Sequence, residues 1–284
     1  VTYAPQDVIV PPYLPDTPAC RQELAQYYQA VSRMDQGVGA LLQTLRDNGL
    51  WENTLILYLS DNGIAFPGAK TNLYQPSLKL PFIAKLPHSE NANQSSDAMI
   101  SWVDITPTLL DYAGVLEAAR AKLDAGYQKS KGKWDNTEVP DFQGRSLRPL
   151  LQQPERSEGW DEVYASHTFH EVTMYYPMRS VITRDYKLIW NIAHELTYPQ
   201  AQDLWNSATW QYALKHDGDM GARHIDAFTH RPEFELYHLR SDPWETRNLA
   251  DSPQHAGALQ NLKSKLRAFQ LRTGDPWELK WDRE

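Results

Sequence analysis

Ser60-Asp61-Asn62-Gly63 follows the apolar run 54–59, Thr-Leu-Ile-Leu-Tyr-Leu. A run of this kind reads as a strand buried on both faces. In open α/β sheets, ligands bind just beyond the carboxyl ends of the strands. Asp61 and Asn62 therefore bring two hard oxygen ligands, of the kind calcium takes, to the place where a site is expected. Lys70, eight residues after Asn62, adds a fixed positive charge. An anionic group between a metal cation and a lysine is the local chemistry of sulfate or phosphate ester cleavage. Asp-Asn-Gly is also a strong turn sequence, so a solvated turn followed by a surface lysine is the competing reading.

The flanking sequence supplies elements that could hold such a site. Residues 1–16 read as an extended connector, rich in proline and without periodicity. Thr17-Pro18 is a helix start, with a capping hydroxyl and proline at the first helical position. Leu24, Tyr27, Val31, Met34, Val38, Leu41, Leu42 and Leu45 recur at helical spacing and read as core, with Gly49 as the stop. Residues 80–86 read as a second, shorter strand. Asp104 or Thr106 caps a further helix ending at Gly114, and 117–140, with its lysine-rich stretch 129–133, reads as a solvated loop. A boundary is expected near 152–159, giving domains 1–152 and 153–284. Beyond it, Val181-Ile182-Thr183 and 186–190 flank Arg184-Asp185 as a hairpin. Residues 234–239 read as a strand and 258–271 as a helix. The fold class is α/β, followed by a small α+β subdomain with an antiparallel sheet and a C-terminal helix.

Composition narrows the function classes. The 284 residues are 41% hydrophobic, with ten Trp and fifteen Tyr, which is the make-up of a packed globular chain. A net charge of −8 argues against nucleic-acid or anionic-membrane partners, although a small basic pocket can sit on an acidic surface. No stretch approaches the ~18 consecutive apolar residues of a membrane span. The single cysteine, Cys20, rules out an internal disulfide and reads as inert.

Further motifs occur in order along the chain. They include Ser32-Arg33-Met34-Asp35-Gln36-Gly37 before the first strand and Lys70-Thr71-Asn72-Leu73-Tyr74 after it. Val103-Asp104-Ile105-Thr106-Pro107-Thr108 and Gly144-Arg145-Ser146-Leu147 come next. His170-Glu171-Val172-Thr173-Met174, Tyr176-Pro177-Met178-Arg179-Ser180 and Glu235-Leu236-Tyr237 complete the series, with Asp242, Glu245 and Asn248 read as turn formers after the last strand. Over nearly the whole chain, this series resembles the second half of a type I sulfatase, in the alkaline-phosphatase-like superfamily. Residues 33–39, 61–74 and 170–181 resemble the N-sulfatase branch in particular.

The resemblance implies that Asp61 and Asn62 bind Ca2+ and that Lys70 contacts the sulfo group. The N-sulfatase pattern carries arginine at the Lys70 position, a departure that weakens the subtype. His170 and Glu171 could recognise sugar hydroxyls or the sulfamate nitrogen, or be structural, and His167 could share that role. Arg179 could contact a substrate anion or hold the His170 segment, with the structural role favoured. The family nucleophile is a formylglycine made within a C/S-x-P/A-x-R motif, and neither Cys20-Arg21-Gln22 nor any serine here matches it. The chain is therefore expected to be the C-terminal portion of a longer enzyme, inactive by itself. Its exposed sheet edge should cause poor solubility or homodimer formation. The implied substrate is a sulfated sugar or glycosaminoglycan, and the implied compartment is lysosomal, periplasmic or secreted. The alternatives are a phosphodiesterase or phosphonate hydrolase of the same superfamily, or a non-catalytic remnant that binds sulfated glycans.

Overall fold

The structure is a computed structural model describing residues 1–88, 93–130, 142–171 and 174–282. Contacts divide it into two compact units, neither of them a continuous stretch. One comprises Val1–Ser89, Ala165–Ser180 and Asp185–Gln260; the other comprises Glu90–Tyr164, Val181–Arg184 and Asn261–Glu284.

In the first unit, the Thr17 hydroxyl accepts from the Cys20 amide at 3.2 Å and starts helix α1, Pro18–Asp47. Gly49, at φ 67°, ends it. Cys20, Leu24 and Ala25 are the buried residues of this helix. The apolar stripe expected to continue as core is instead half-buried or exposed, with Val31 at 37%, Met34 at 46% and Leu41 at 63%. Helical spacing shows which residues share a face, but a face becomes core only where another element covers it.

Strand β1, Ile56–Leu59, is half-buried throughout, not buried on both faces. The helical turn α2, Gln75–Leu78, precedes β2, Phe82–Lys85. β1 and β2 pair antiparallel as a two-stranded sheet, with Ile56 opposite Lys85 and Leu59 opposite Phe82. A strand with one neighbour leaves its other edge open, hence the partial burial.

In the second unit, a 3-10 turn leads into α3, Ile105–Tyr112. The Ser101–Asp104 pair caps the 3-10 turn, with Ser101 N donating to Asp104 Oδ2 at 2.9 Å, and Asp104 stands at the N-cap position of α3 without a side-chain bond to it. Asp104 also accepts from Arg145 N at 2.9 Å, and a Cβ on Gly144 would fall 2.1 Å from the Val103 carbonyl oxygen. The Gly-Arg-Ser-Leu motif is thus a packing motif. Residues expected to be a solvated loop form α4, Leu116–Ser130, while 131–133 of the lysine run lie outside the described residues. The segment is polar and so resembles a loop, but its Ala, Arg, Lys and Glu are good helix formers. A short helix, α5, spans Arg148–Gln152.

The main sheet contains β3, Glu162–His170, β4, Met174–Thr183, and β5, Tyr186–Asn191. The Arg184-Asp185 hairpin lies between β4 and β5 as expected. Helices α6, Gln202–Trp205, and α7, Ala208–Lys215, follow, then the short strands β6, Asp219–Met220, and β7, Arg223–His224, and helix α8, Ile225–Thr229. β8, Phe234–His238, closes the order β3-β4-β5-β8, antiparallel to β5 with Ile189 opposite Glu235. Helix α9, Ala256–Thr273, buries Leu262 and Leu266. In the second unit, Phe269 of α9 stacks on Tyr164 with ring centroids 3.9 Å apart.

The core of the first unit encloses a polar network. Glu235 accepts from Tyr74 OH at 2.9 Å, from Asn191 Nδ2 at 2.7 Å and from Tyr237 OH. The Lys187 and Glu245 side chains, both 0% exposed, pair at 2.8 Å. Glu245, expected only to shape a turn, is thus a buried counter-ion, and it also accepts from Gln75 N at 2.5 Å. Asp242 and Asn248 do act on backbone: Asp242 accepts from Thr246 N and Arg247 N, and Asn248 Oδ1 accepts from Leu236 N.

Candidate functional site

The Ser60–Gly63 loop leaves β1 with its backbone held locally. Ser60 Oγ donates to the Asn62 carbonyl at 2.8 Å, and Asp61 Oδ1 accepts from Asn62 N at 2.9 Å. Asp61 is exposed and Asn62 half-buried. Gly63 sets the position of this loop. A Cβ there would fall 1.8 Å from the Ala69 carbonyl oxygen and 2.3 Å from that of Pro76, so only glycine fits. The contact sets the backbone of this loop against the backbone of the segment that carries Lys70.

That segment is stiffened on both sides. Ala69 and Leu73 are buried. Thr71 lies at φ 58°, a conformation that a β-branched residue adopts only when its surroundings impose it. Its Oγ1 donates to the Lys70 carbonyl at 2.7 Å, and Tyr198 OH donates to the Thr71 carbonyl at 2.7 Å. Buried Asn72 donates through Nδ2 to the Lys70 carbonyl at 3.1 Å. The Lys70 ammonium pairs with Asp203 on α6, the two side chains being 21% and 46% exposed. Burial alone would raise the Asp203 carboxyl, but the Lys70 ammonium outweighs it and holds the group below its ordinary range.

His170 ends β3, and Glu171 follows at φ 60°. His170 Nε2 lies 3.8 Å from Glu171 Oε1. Glu171 Oε2 accepts from Gln202 N at 3.4 Å, one residue before Asp203. α6 therefore meets Lys70 on one side and the His170-Glu171 segment on the other. Val172 and Thr173 of the same motif lie outside the described residues.

Arg179 is buried, and its Nη1 donates to the carbonyls of Met178 and His167 at 2.9 and 3.2 Å. His167 Nδ1 lies 3.1 Å from the Tyr176 carbonyl, which can only accept, so this nitrogen carries the proton. Burial lowers the His167 pKa against the opposing bond to Tyr176, with His170, Arg231 and Arg179 lowering it further. It is a neutral histidine tied to the adjacent strand. Burial also pushes the Cys20 thiol up to about 11, which leaves it unreactive.

Asp203, Asn72 and Tyr198 hold the Lys70 segment in addition to the residues expected from the sequence. Asn72 lies within the motif that carries Lys70, but Asp203 is 133 residues away from Lys70 and no local pattern marks it.

The site's donor set fits calcium in kind and falls short in number. Among the described residues no three His, Cys, Asp or Glu side chains converge on a metal position, against roughly six to eight oxygens around calcium.

Residues 3–115 match the Sulfatase family model. Over 280 residues the chain is 39% identical to N-sulphoglucosamine sulphohydrolase of Homo sapiens, covering 97% of this chain and 53% of that protein. It is 30% identical to an ulvan-active sulfatase of Formosa agariphila, covering 94% of this chain and 41% of the relative. A protein solved in complex with its substrate D-glucosamine-2-N,6-O-disulfate shares the fold, with a TM-score of 0.62 at 23% identity over 93% of this chain and 44% of that one. The chain spans about half the length of the curated relatives it matches. By family model, relatives and fold, the chain belongs to the sulfatases.

Proposed function

We propose that this chain forms part of a calcium-dependent sulfatase that removes the N-sulfate from glucosamine of heparan-type glycans. The observation that carries the proposal is the Gly63 contact, which locks the Asp61-Asn62 loop to the Lys70 segment. The 39% identity to a relative named for N-sulfoglucosamine supports the substrate class. Asp61 and Asn62 would hold the cation together with ligands from outside this chain. The bound cation would neutralise charge on the sulfo group. The family also generally depends on a formylglycine, whose motif this sequence does not contain.

Lys70 meets a sulfo oxygen as negative charge grows there, acting as a point charge where the N-sulfatase pattern has a forked arginine. Its carbonyl is held by Thr71 and Asn72, so the lysine is placed before substrate arrives. His170, oriented by Glu171, faces the sugar and its sulfamate nitrogen. Arg179 acts from behind, fixing the strand that ends in His170.

Among the described residues no helix is long and apolar enough to cross a membrane. We place the protein among lysosomal, periplasmic or secreted enzymes, with residues 1–152 belonging to the catalytic α/β domain and 153–284 to the subdomain. Self-association through the exposed α1 stripe and open β1 edge is part of the same proposal.

The test is sulfate release from N-sulfoglucosamine by the full-length gene product. Release that falls by about 10²–10³ in Lys70→Ala is expected. Phosphate release from a phosphonate or phosphodiester, with none of sulfate from any sulfated sugar, would replace the reading with its phosphoryl alternative. Retention of sulfated glycan with no turnover of either would leave only the binding role.

A further inference from the structure

The Lys70 ammonium meets a carboxylate, an unusual partner for a group expected to receive an anion. The Lys70–Asp203 pair is close to neutral as a unit, so an arriving sulfo group must displace Asp203 or share the ammonium with it. Sharing is chemically open to it. Lysine has three donors, and each carboxylate oxygen accepts more than one hydrogen bond. Two negative groups on one ammonium repel, however, unless something between them donates.

The second carboxylate points the same way. Glu171 is fastened to the Gln202 amide, next to Asp203 in the chain, and is 38% exposed. Asp203 has one oxygen on Lys70 and the other on the Leu204 amide at 3.0 Å. Both groups are pinned by protein donors yet remain partly open to solvent. A carboxylate pinned on an anion-binding lysine, with a second fastened to the amide one residue before it, accepts hydroxyl, amine or sulfamate N–H donors and repels a second sulfate or a carboxylate.

We infer that Asp203 determines specificity: it competes with free oxyanions for Lys70 and admits sugars that carry a hydrogen-bond donor beside the scissile sulfo group. The inference rests on the sulfatase reading of Lys70. Discrimination works by repulsion as much as by attraction, since an ion without a donor gains Lys70 but meets Asp203 uncompensated.

The experiment uses the full-length protein and Asp203→Asn, which keeps the shape and removes the charge. Inorganic sulfate is titrated by calorimetry, and kinetics are measured on N-sulfoglucosamine and on the 2-N,6-O-disulfate. The variant should bind inorganic sulfate about fivefold or more tighter, while KM for N-sulfoglucosamine rises about tenfold with kcat nearly unchanged. The preference for the monosulfate over the disulfate should fall by about tenfold as well. These shifts have opposite signs, which mere damage to the site does not produce. Unchanged or weaker sulfate binding in the variant overturns the inference. Asp203→Ala, checked for a wild-type melting temperature, serves if the asparagine variant does not fold. If the wild-type protein releases no sulfate from any sugar, the sulfatase reading fails. The sulfate titration alone then decides the role of Asp203.

Discussion

Lys187–Glu245 and Lys70–Asp203 join the same two chemical groups in different surroundings. The first pair is 0% exposed on both sides, while the second is 21% and 46% exposed. Around Lys187 the chain has closed completely, and burial pushes its ammonium below the ordinary lysine range against the attraction of Glu245. No ligand can enter there, so the pair can only hold β5 to the segment after β8. Around Lys70 the chain holds the backbone rigidly and leaves the ammonium within reach of solvent. Burial thus separates a lysine that holds the fold from one able to do chemistry, although nothing in the residue type distinguishes them.

The sharpest way to break this comparison is to remove one partner from the sealed pair. Glu245→Gln leaves Lys187 buried without its counter-ion and should cost about 3–5 kcal/mol in denaturant unfolding. Replacing both residues with apolar ones of similar volume should come close to wild-type stability, because the desolvation cost disappears with the charges. A single variant of wild-type stability would mean that water reaches the pair.

At the open pair the effect should move from stability to turnover. Lys70→Ala should lower kcat for sulfate release by about 10²–10³, the range for losing one donor to transition-state charge. Its melting temperature should stay near that of the wild type. A large loss of stability with normal turnover of the folded fraction would reverse the assignment.

A half-buried histidine on β3 extends the contrast to pH. His167 faces inward, and its folded pKa is depressed below its unfolded value of 6.5. Between those two values the unfolded chain binds a proton that the folded chain does not. Stability is therefore full above about pH 6.5 and falls as pH drops toward the folded pKa. Thermal unfolding from pH 7.5 to 5 should show this slope, and His167→Phe should flatten it.

The smallest effect is expected for the stability of Asp203→Asn. A half-exposed ion pair is screened, and its loss should change stability by about 0–1 kcal/mol in urea titrations. A larger value would place Asp203 with the sealed pair.

Much of this architecture is legible along the chain. The Thr17-Pro18 start, the Gly49 stop, the Arg184-Asp185 hairpin and the strand at 234–239 rest on local rules of capping, turns and alternation, and the structure has each of them. The Asp61-Asn62 loop and Lys70 are proposed as a site by the same local logic, since such a reading needs only residue types at short spacing. Local rules fail where burial depends on what comes to lie opposite. The α1 stripe has core spacing, yet its Val31, Met34 and Leu41 stand exposed, and Glu245 looks like a turn residue until Lys187 meets it.

Residue order along the chain is enough to place the α1 start and stop, the Arg184-Asp185 hairpin, two oxygen-bearing side chains after the first strand, a lysine eight residues later and the order of motifs that marks the family. Only the tertiary structure decided that Gly63 must be glycine, that Asp203 lies on Lys70, and that Glu171 joins them through Gln202. The physical reason is distance along the chain. Capping, turns and periodicity act over a few residues, whereas a hydrogen bond between residues 70 and 203 exists only after the core beneath them has packed.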